Sequence, residues 1–518
     1  MKKKTFLCLI LTAAIFLSAF STFRNEQGMD GANVVSSVTP EDTADCGAIW
    51  TNKFSTKGIS YNSIPIIGTN GIYVVNSNIL YELSYANGQV LRQTTLKEKM
   101  NSVCNMLLEE HFLYIPLANG TMECVDITSM TSLWQSKSFG GQSLSTTFYQ
   151  DGYLYAGTTN VLSNGTTTGL FYCLNAKDGS TVWTYEDTDH PGGYYWSGAI
   201  VYEDALFFTG DNGILVSHSL TEPVVYDTAV LTTTANIRAG LTYHKETDAL
   251  YTVAKDGTLF QIQCTEQKIT KVSSGKIMNG AKFITCTSTP TIYNNRLYVG
   301  CMADQYGYVC VMDALTLKPI YQVKGFQNAE VKSSPLVSTR GSSTGEVTVY
   351  FSMNALPGGL YAFKDTEGKT SSSLHTLYIP QAKQYCLSSI TADDKGRLYY
   401  SNDSGTLFCV TLAKDIPATS TPTVTSIPAA TSTPTVSNSL APAAKNSVSK
   451  PKKPYSVKIK KSKKKYKVTW KKKSKKYQTI ISYRYGKGKW KKKTIKKNTA
   501  ATIKKGKKRL QIRLRCKI

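Results

Sequence analysis

The sequence contains eight repeats, which are described below, and aromatic and basic residues suited to ligand binding lie just before three of them. The segment His190-Pro-Gly-Gly-Tyr-Tyr-Trp196 ends just before the fourth repeat, and Arg238 and Lys332 directly precede the fifth and seventh. Trp and Tyr stack on sugars and peptide groups, while Arg and Lys attract anions. We predict a pocket lined by His190, Tyr194, Tyr195, Trp196, Arg238 and Lys332. The alternative is that Tyr194 and Trp196 only fill space and that Arg238 and Lys332 are solvated.

Residues that could carry catalysis or hold a metal ion form no recognisable set. The five His residues lie far apart in the chain, and the sequence has no C-x-x-C pair. No His is placed by the sequence beside a Ser and an acid, and no D-x-[DN]-x-[DN]-G calcium loop occurs. We therefore expect no catalytic residue, no metal site and no cofactor.

A three-part phrase repeats along the chain, and such repeats decide which fold to expect. It reads Ser288-Thr-Pro290, Asn295-Arg-Leu-Tyr-Val-Gly300 and Tyr308-Val-Cys-Val-Met-Asp-Ala314, and it returns twice before residue 410. Each repeat alternates apolar and polar residues in short runs that are separated by turns such as Asn-Gly and Asp-Gly, the pattern of strands joined by hairpins. Eight repeats begin at Ser63, Asn105, Thr146, Ser197, Ala239, Ser288, Ser333 and Ser388.

About four strands in each repeat of roughly 40–50 residues is typical of a propeller blade. The eighth repeat supplies only three strands before it ends near Ala413, whereas an extra strand precedes the first repeat. We predict that Cys46–Phe54 is the outermost strand of the last blade and closes the ring. A solenoid is the alternative, but it would not explain why the extra strand matches the missing one. The predicted fold is all-β, an eight-bladed β-propeller followed by a small β-sandwich-like module.

The repeat resembles the pyrroloquinoline-quinone (PQQ) repeat. The resemblance rests on Leu297-Tyr-Val-Gly300 with Val309–Thr316, and on Gly169–Gly179 with Thr181-Val-Trp183. That family includes quinoprotein alcohol dehydrogenases and the propeller subunit of the outer-membrane assembly machinery, so it implies the fold more than a function. A quinoprotein dehydrogenase would need two adjacent Cys residues beside its cofactor, and this chain has no consecutive Cys pair.

Eleven of the 12 Cys residues lie outside the N-terminal apolar segment. Cys124, Cys173 and Cys409 occupy equivalent positions of separate repeats, too far apart for the ~5.5 Å Cα spacing of a disulfide. Two pairs remain open as disulfides, Cys301 with Cys310 across one hairpin and Cys46 with Cys409 across the ring closure. Free, buried thiols are the alternative.

The N-terminal and linking segments differ from the repeats in composition. Lys2–Lys4 precede the apolar run Phe6–Phe20, which is short of the ~20 residues that span a bilayer, so residues 1–21 are predicted to be a cleaved signal peptide. An uncleaved anchor is the alternative. Residues 45–413 form the predicted propeller. Residues 414–450, rich in Thr, Ser and Pro, are predicted to be an extended linker.

The C-terminal region carries the positive charge of the chain. Residues 450–518 hold 31 Lys and Arg and no Asp or Glu, and the other 30 basic residues are outnumbered by 35 acidic ones. Apolar residues alternate through this region, which predicts half-buried strands. With Trp470 and Trp490 on separate strands, residues 451–518 resemble a Lys-rich fibronectin type III module.

Together these features predict a protein that is secreted and retained at the cell surface or wall. Residues 451–518 would bind a cell-wall polyanion or anionic lipid, because compact Lys charges suit diffuse polyanion attraction. No physiological nucleic acid is expected outside the cell. The propeller would bind an unknown protein or glycan ligand. The competing interpretation is an enzyme, either a degenerate or active quinoprotein-type dehydrogenase or a glycan-active propeller.

Overall fold

The computed structural model describes residues 33–55, 58–101, 105–416 and 424–426 of the N-terminal part of the chain. Towards the C-terminus it describes 455–461, 465–471, 478–485, 491–495, 500–504 and 510–517. The chain divides into two compact units, Met1–Ala429 and Ala430–Ile518. The predicted signal peptide and most of the predicted linker lie outside the described residues. Within them, no helix is long and apolar enough to cross a membrane.

The first unit is an eight-bladed β-propeller, as predicted. Each blade is a sheet of four antiparallel strands, which follow one another from the central channel outward, and blades 3, 6, 7 and 8 carry additional short strands. Blade 1 contains Ile66–Ile67, Ile72–Asn76, Ile79–Leu83 and Val90–Thr95, and blade 2 contains Leu107–Glu109, Phe112–Pro116, Met122–Asp126 and Thr131–Gln135. Blade 3 contains Phe148–Gln150, Tyr153–Val161, Phe171–Asn175 and Thr181–Tyr185, with the additional strands Gln142–Ser143 and Thr167–Thr168. Blade 4 contains Ala199–Tyr202, Ala205–Thr209, Ile214–His218 and Val225–Val230.

Blades 5 to 8 repeat this order. Blade 5 contains Thr242–His244, Ala249–Val253, Thr258–Thr265 and Lys268–Lys276, and blade 6 contains Thr291–Tyr293, Arg296–Ala303, Tyr306–Asp313 and Pro319–Gln327, with the additional strand Ile284–Thr285. Blade 7 contains Leu336–Ser338, Val347–Ser352, Leu360–Asp365 and His375–Tyr378, with the additional strand Val34–Val35. Blade 8 contains Thr391–Ala392, Leu398–Asn402, Thr406–Leu412 and Cys46–Lys53, with the additional strand Val424–Ser426. Two short 3₁₀ helices, Thr43–Asp45 and Ala413–Asp415, flank the strands of blade 8.

Turns predicted from the sequence lie inside these hairpins. In the Asp256-Gly257 turn, Gly257 has φ +75°, a conformation that residues with a side chain rarely adopt. The Asp256 carboxylate accepts hydrogen bonds from the backbone N–H and the hydroxyl of Thr258, at 3.0 and 2.8 Å. An Asp side chain that binds the backbone two residues ahead stabilises a tight turn.

The apolar core is distributed around the ring. The buried apolar residues of the described propeller form eight clusters, and each cluster joins two neighbouring blades. Blades 8 and 1, for example, share a cluster that contains Trp50, Tyr399, Ile72 and Leu83. Each blade therefore buries both of its faces against its neighbours.

The N-terminal strand closes the ring, which confirms the prediction. Cys46–Lys53 pairs antiparallel with Thr406–Leu412 as the fourth strand of blade 8. Its side chains also reach blade 1, because the Trp50 indole donates to the carbonyl of Tyr85 at 3.2 Å and the Asn52 amide donates to that of Gly88 at 2.6 Å. Closure therefore joins the two ends of the repeat array without a covalent bond.

The propeller unit extends beyond the predicted range 45–413. Val34–Val35 pairs in parallel with the innermost strand of blade 7, and the Asn33 amide donates to the carbonyl of Pro335 at 2.8 Å. Residues 36–45 then run outward between blades 7 and 8. The Ser37 hydroxyl donates to the carbonyl of Asp393 near the channel, and the Thr43 hydroxyl donates to the carbonyl of Thr376 on the outermost strand of blade 7. Nothing in the repeat pattern indicates this path, because it follows no hairpin.

The second unit contains two three-stranded sheets. The first has the order Tyr455–Lys461, Lys465–Lys471 and Ala500–Lys504, and the second has the order Lys491–Ile495, Gln478–Tyr485 and Leu510–Lys517. Val468, Ile481, Ala501 and Ile503 are buried. The predicted strands are present, and the resemblance to a fibronectin type III module stays a prediction.

Candidate functional site

A pocket lies in the central channel of the propeller, where the loops between blades lead into the innermost strands. The empty space among its lining residues is about 470 Å³ when space open to solvent is counted, and residues from seven of the eight blades line it. The lining residues are Ile64, Asn105, Leu144, Thr146, Trp196, Thr287, Thr289, Lys332, Ser334 and Leu387. The ring arrangement thus brings together residues that are up to 323 positions apart in the sequence.

Trp196 projects into this pocket from an unusual backbone conformation. Its φ is +62°, in the left-handed region that a bulky residue rarely adopts. The indole Nε1 is buried and has no hydrogen-bond partner among the described residues. Strained backbone and an unsatisfied buried donor both cost free energy, and such features cluster at functional sites.

Tyr194, two residues earlier, holds the insertion in place. It is buried between blades 3 and 4, where its ring packs edge-on against Phe171 and Phe208. Its backbone N–H donates to the carbonyl of Thr158 at 3.1 Å. Tyr194 is therefore a core residue, and its predicted role in lining the pocket is wrong.

Arg238 is bound to a buried carboxylate. Its Nε and Nη2 donate to Oδ1 and Oδ2 of Asp211 at 2.8 and 3.0 Å, and the Asp211 side chain is 1% exposed. The guanidinium lies 4.3 Å from the centre of the Tyr195 ring, and that ring meets Trp196 edge-on. Arg238 thus supports Tyr195 beside the pocket. It is neither a solvated rim charge nor an open anion-binding group.

Lys332 supplies the positive charge of the pocket. Its Nζ lies 5.7 Å from the centre of the Trp196 ring and 3.4 Å from Oε2 of Glu330. Burial raises the pKa of the Glu330 carboxyl, while Lys332 opposes that shift. Oε1 of Glu330 and the Thr287 hydroxyl are buried without a hydrogen-bond partner among the described residues. A cation, an indole N–H and a hydroxyl suit a ligand that presents hydrogen-bond acceptors.

The structure therefore separates the six predicted pocket residues. Trp196 and Lys332 line the pocket, Tyr195 and Arg238 lie beside it, and Tyr194 is buried in the core. His190 is exposed, with its ring 3.6 Å from the Asp187 carboxylate, and does not line the pocket. Asp211 and Glu330 are not among the predicted residues, because they are ordinary acidic residues of inter-strand loops and nothing in the sequence indicates their pairing with Arg238 and Lys332.

The structure brings together one of the two cysteine pairs that the sequence allows as disulfides. Cys301 and Cys310 are buried, with their sulfur atoms 3.7 Å apart as free thiols. The Cys46–Cys409 pairing is wrong, because the register places Cys46 opposite Leu412 and Cys409 opposite Trp50. Three residues along a strand separate them by about 10 Å, more than a disulfide can span.

The pocket does not fit a quinone held with a calcium ion. None of its ten lining residues is Asp, Glu or Cys, and the Glu330 carboxylate beside them faces Lys332. Among the described residues, no group of three or more His, Cys, Asp or Glu is arranged to hold a metal ion. Calcium requires several oxygen ligands, commonly carboxylates.

Comparisons with known proteins agree with this architecture. Residues 29–185 match the model of a family described as outer membrane protein assembly factor BamB. A comparison with curated proteins found no match. BamB from Moraxella catarrhalis superposes with a TM-score of 0.51 at 12% identity, over 71% of this chain and 99% of that one.

Two enzymes share the same architecture. The quinohemoprotein alcohol dehydrogenase from Comamonas testosteroni gives a TM-score of 0.55 at 11% identity, over 73% of this chain and 78% of that one. A europium-containing methanol dehydrogenase gives 0.57 at 11% identity, over 76% and 98%. At such identities these structures show the fold alone. Residues 29–185 therefore match the PQQ-like repeat family that includes BamB, and the whole propeller shares the fold of these structures.

Proposed function

We propose that this chain is a non-enzymatic binding protein of the cell surface, whose propeller binds a protein or glycan ligand in the central pocket. The observation that carries the proposal is Trp196, a large aromatic residue held in a strained conformation with an unpartnered indole N–H. Lys332 and Thr287 add a positive charge and a hydroxyl to the same pocket. These groups suit peptide carbonyls, carboxylates or sugar hydroxyls.

The family match supports a protein ligand. The family that residues 29–185 match is named for an outer membrane protein assembly factor, a description that implies contact with other proteins. The pocket also lacks the carboxylates that the quinoprotein alternative would use. Binding residues are commonly carried by loops on a rigid scaffold, and Trp196 lies in the loop that precedes the first strand of blade 4.

Retention at the envelope would come from the C-terminal unit. Lys465, Lys467 and Lys504 are exposed on its first sheet, and Lys465 lies opposite Lys504 in the strand register. Because residues 450–518 contain no Asp or Glu, the field of this unit attracts polyanions such as wall teichoic acids or anionic lipid headgroups. With the predicted signal peptide, this favours a secreted protein that stays at the surface.

The pocket is tested with Trp196→Ala and Lys332→Met, and Phe283→Ala serves as the control. Phe283 is an aromatic residue that is 59% exposed and does not line the pocket. Binding to panels of soluble peptidoglycan fragments and extended peptides would be measured by calorimetry. We expect a ligand whose affinity falls roughly tenfold or more in the two pocket variants and is unchanged in the control. Equal affinities in all three variants would reject the pocket.

The envelope proposal is tested by co-sedimentation of the mature protein, with and without residues 451–518, on purified Gram-positive cell walls. Binding that requires the C-terminal unit and is lost at high salt supports polyanion retention. Salt-resistant binding without that unit would make the propeller the wall-binding part. Dye reduction with added quinone and calcium tests the dehydrogenase that shares the fold.

A further inference from the structure

The closing strand of the propeller has a second neighbour that the repeats do not predict. Val424–Ser426 pairs in parallel with the outer edge of Cys46–Lys53, with Val424 opposite Thr51 and Ser426 opposite Lys53. These three residues belong to the segment that the composition predicts to be a linker. Blade 8 therefore has a fifth strand, from the C-terminal side of the propeller.

The chain that precedes this segment lies beside the start of the closing strand. Thr406–Leu412 leads into the 3₁₀ helix Ala413–Asp415, after which the Ile416 side chain packs against Gly47. A Cβ on Gly47 would lie 2.4 Å from Cδ1 of Ile416, so glycine leaves room for the Ile416 side chain. Residues 417–423 can span up to about 23 Å, which exceeds the ~13 Å between Gly47 and Thr51 along the strand.

A groove lies beside the same edge, between the outer parts of blades 7 and 8. It encloses about 760 Å³, including space open to solvent, and its lining residues are Ala48, Thr51, Lys53, Tyr378, Ile379, Gln381, Ala382, Thr406 and Phe408. Thr51 and Lys53 thus belong both to the groove and to the paired edge. Ile379 is 45% exposed, which leaves apolar surface at the groove. A strand edge next to a shaped groove is the arrangement that binds extended peptides by strand addition.

We propose that the edge of Cys46–Lys53 and this groove form a strand-addition site for an extended Thr- and Pro-rich segment, and that the segment of the same chain that contains Val424–Ser426 is its occupant. Without this pairing, the outward N–H and C=O groups of Thr51–Lys53 would be open to pairing with another molecule. The short tether gives residues 418–426 a high effective concentration at the edge. Val424–Ser426 then covers the outer edge of the closing strand at Thr51–Lys53.

The sequence also provides a matched control. Ala418-Thr-Ser-Thr-Pro-Thr-Val424 recurs as Ala430-Thr-Ser-Thr-Pro-Thr-Val436, so Ser437 is the counterpart of Thr425. The second copy has similar chemistry on a tether that is 12 residues longer, which lowers its effective concentration. Thr425→Pro would remove a backbone donor from the paired segment, whereas Ser437→Pro makes the same change outside it.

Hydrogen exchange of the full chain tests the proposal at the amides of residues 51–53. We expect Thr425→Pro to speed their exchange on the order of tenfold, since a few edge hydrogen bonds are lost, and Ser437→Pro to leave it unchanged. A synthetic peptide of residues 418–428 should restore protection in the Thr425→Pro variant. If the second repeat takes the place of the first in the Thr425→Pro variant, the amides of residues 51–53 stay protected. Loss of that protection only in the Thr425→Pro/Ser437→Pro double variant would also support the site.

Two results would overturn it. Equal exchange in wild type, in both single variants and in the Thr425→Pro/Ser437→Pro double variant, with no response to the peptide, would show that the edge binds no such segment. Protection that falls on dilution would assign the bound strand to a second copy and not to the same chain. Neither result depends on the central pocket or on the envelope.

Discussion

The indole ring of Trp50 packs directly on Gly88, and this contact joins the last blade to the first. A Cβ on Gly88 would lie 2.3 Å from Cε3 of Trp50, and Gly88 has φ +68°. The same contact recurs between blades 2 and 3, where a Cβ on Gly179 would lie 2.4 Å from Cε3 of Trp134. A bulky ring on one outer strand and a glycine in the next blade thus form a repeated junction between blades.

Loss of this junction should destabilise the ring. We expect Trp50→Ala to lower the free energy of unfolding by roughly 3–5 kcal/mol, because the ring is 2% exposed and its removal leaves a cavity. Gly88→Ala should also destabilise, since it strains both φ and the ring contact. Leu91→Ala, at a residue that is 52% exposed, should change stability by no more than about 0.5 kcal/mol. Urea unfolding of the three variants compares these effects, and equal stabilities would contradict the closure argument.

The pair formed by Asp211 and Arg238 should matter more than a surface ion pair. We expect Asp211→Asn to destabilise the propeller by about 3 kcal/mol, since it leaves a partly buried guanidinium without its charged partner. Lys276→Met breaks a pair whose side chains are 48% and 40% exposed, and should cost about 0.5 kcal/mol. Thermal unfolding measures both, and Trp fluorescence would report movement of Trp196. Equal losses of stability in Asp211→Asn and Lys276→Met would show that burial does not strengthen the ion pair of Asp211.

Cys301 and Cys310 should form a disulfide when the chain folds under oxidising conditions. Their sulfur atoms are already 3.7 Å apart. The contact with Cys310 and burial together raise the pKa of the Cys301 thiol, so thiolate is scarce and oxidation of the folded protein should be slow. Peptide mapping without reductant, after refolding with and without oxidant, checks the pairing. Cys286, which is also buried, serves as the control, and a disulfide from Cys286 would contradict the prediction.

Asp403 should make stability depend on pH. Burial raises the pKa of its carboxyl to about 6, above the value of about 4 expected in the unfolded chain. The folded state therefore binds this proton more tightly, so the contribution of Asp403 is most favourable below pH 4 and is lost as the pH rises towards 6. Asp403→Asn should stabilise the protein by about 1 kcal/mol at pH 7, allowing for partial solvent access, and have little effect near pH 3.5.

The comparison that checks this is urea unfolding of wild type and Asp403→Asn across that pH range. Asp204→Asn, at an exposed residue, provides the matched control. A difference between Asp403→Asn and wild type that does not change with pH would mean that the substitution acts through packing and not through titration.

Much of the fold could be predicted from local pattern. Alternation and Gly turns such as Asp256-Gly257 specify hairpins, because side chains alternate between the faces of a strand and glycine adopts φ values that other residues avoid. Eight such units, with one strand missing at the end and one extra at the start, require closure by Cys46–Lys53. These features depend on residues that are adjacent in the chain and on the number of strands in each repeat, and both can be read from the sequence.

Tertiary structure alone decided the details that depend on distant contacts. The bulge and register of the closing strand separate Cys46 from Cys409, although the pairing of the two strands was expected. Packing between blades 3 and 4 buries Tyr194 and leaves Trp196 to line the channel. Asp211 forms an ion pair with Arg238, which is then not available to a ligand. The strand Val424–Ser426 likewise follows from an open edge nearby and not from its composition. Whether a side chain is buried, paired or available to a ligand is set by neighbours from other blades, which the spacing of residues in the chain does not reveal.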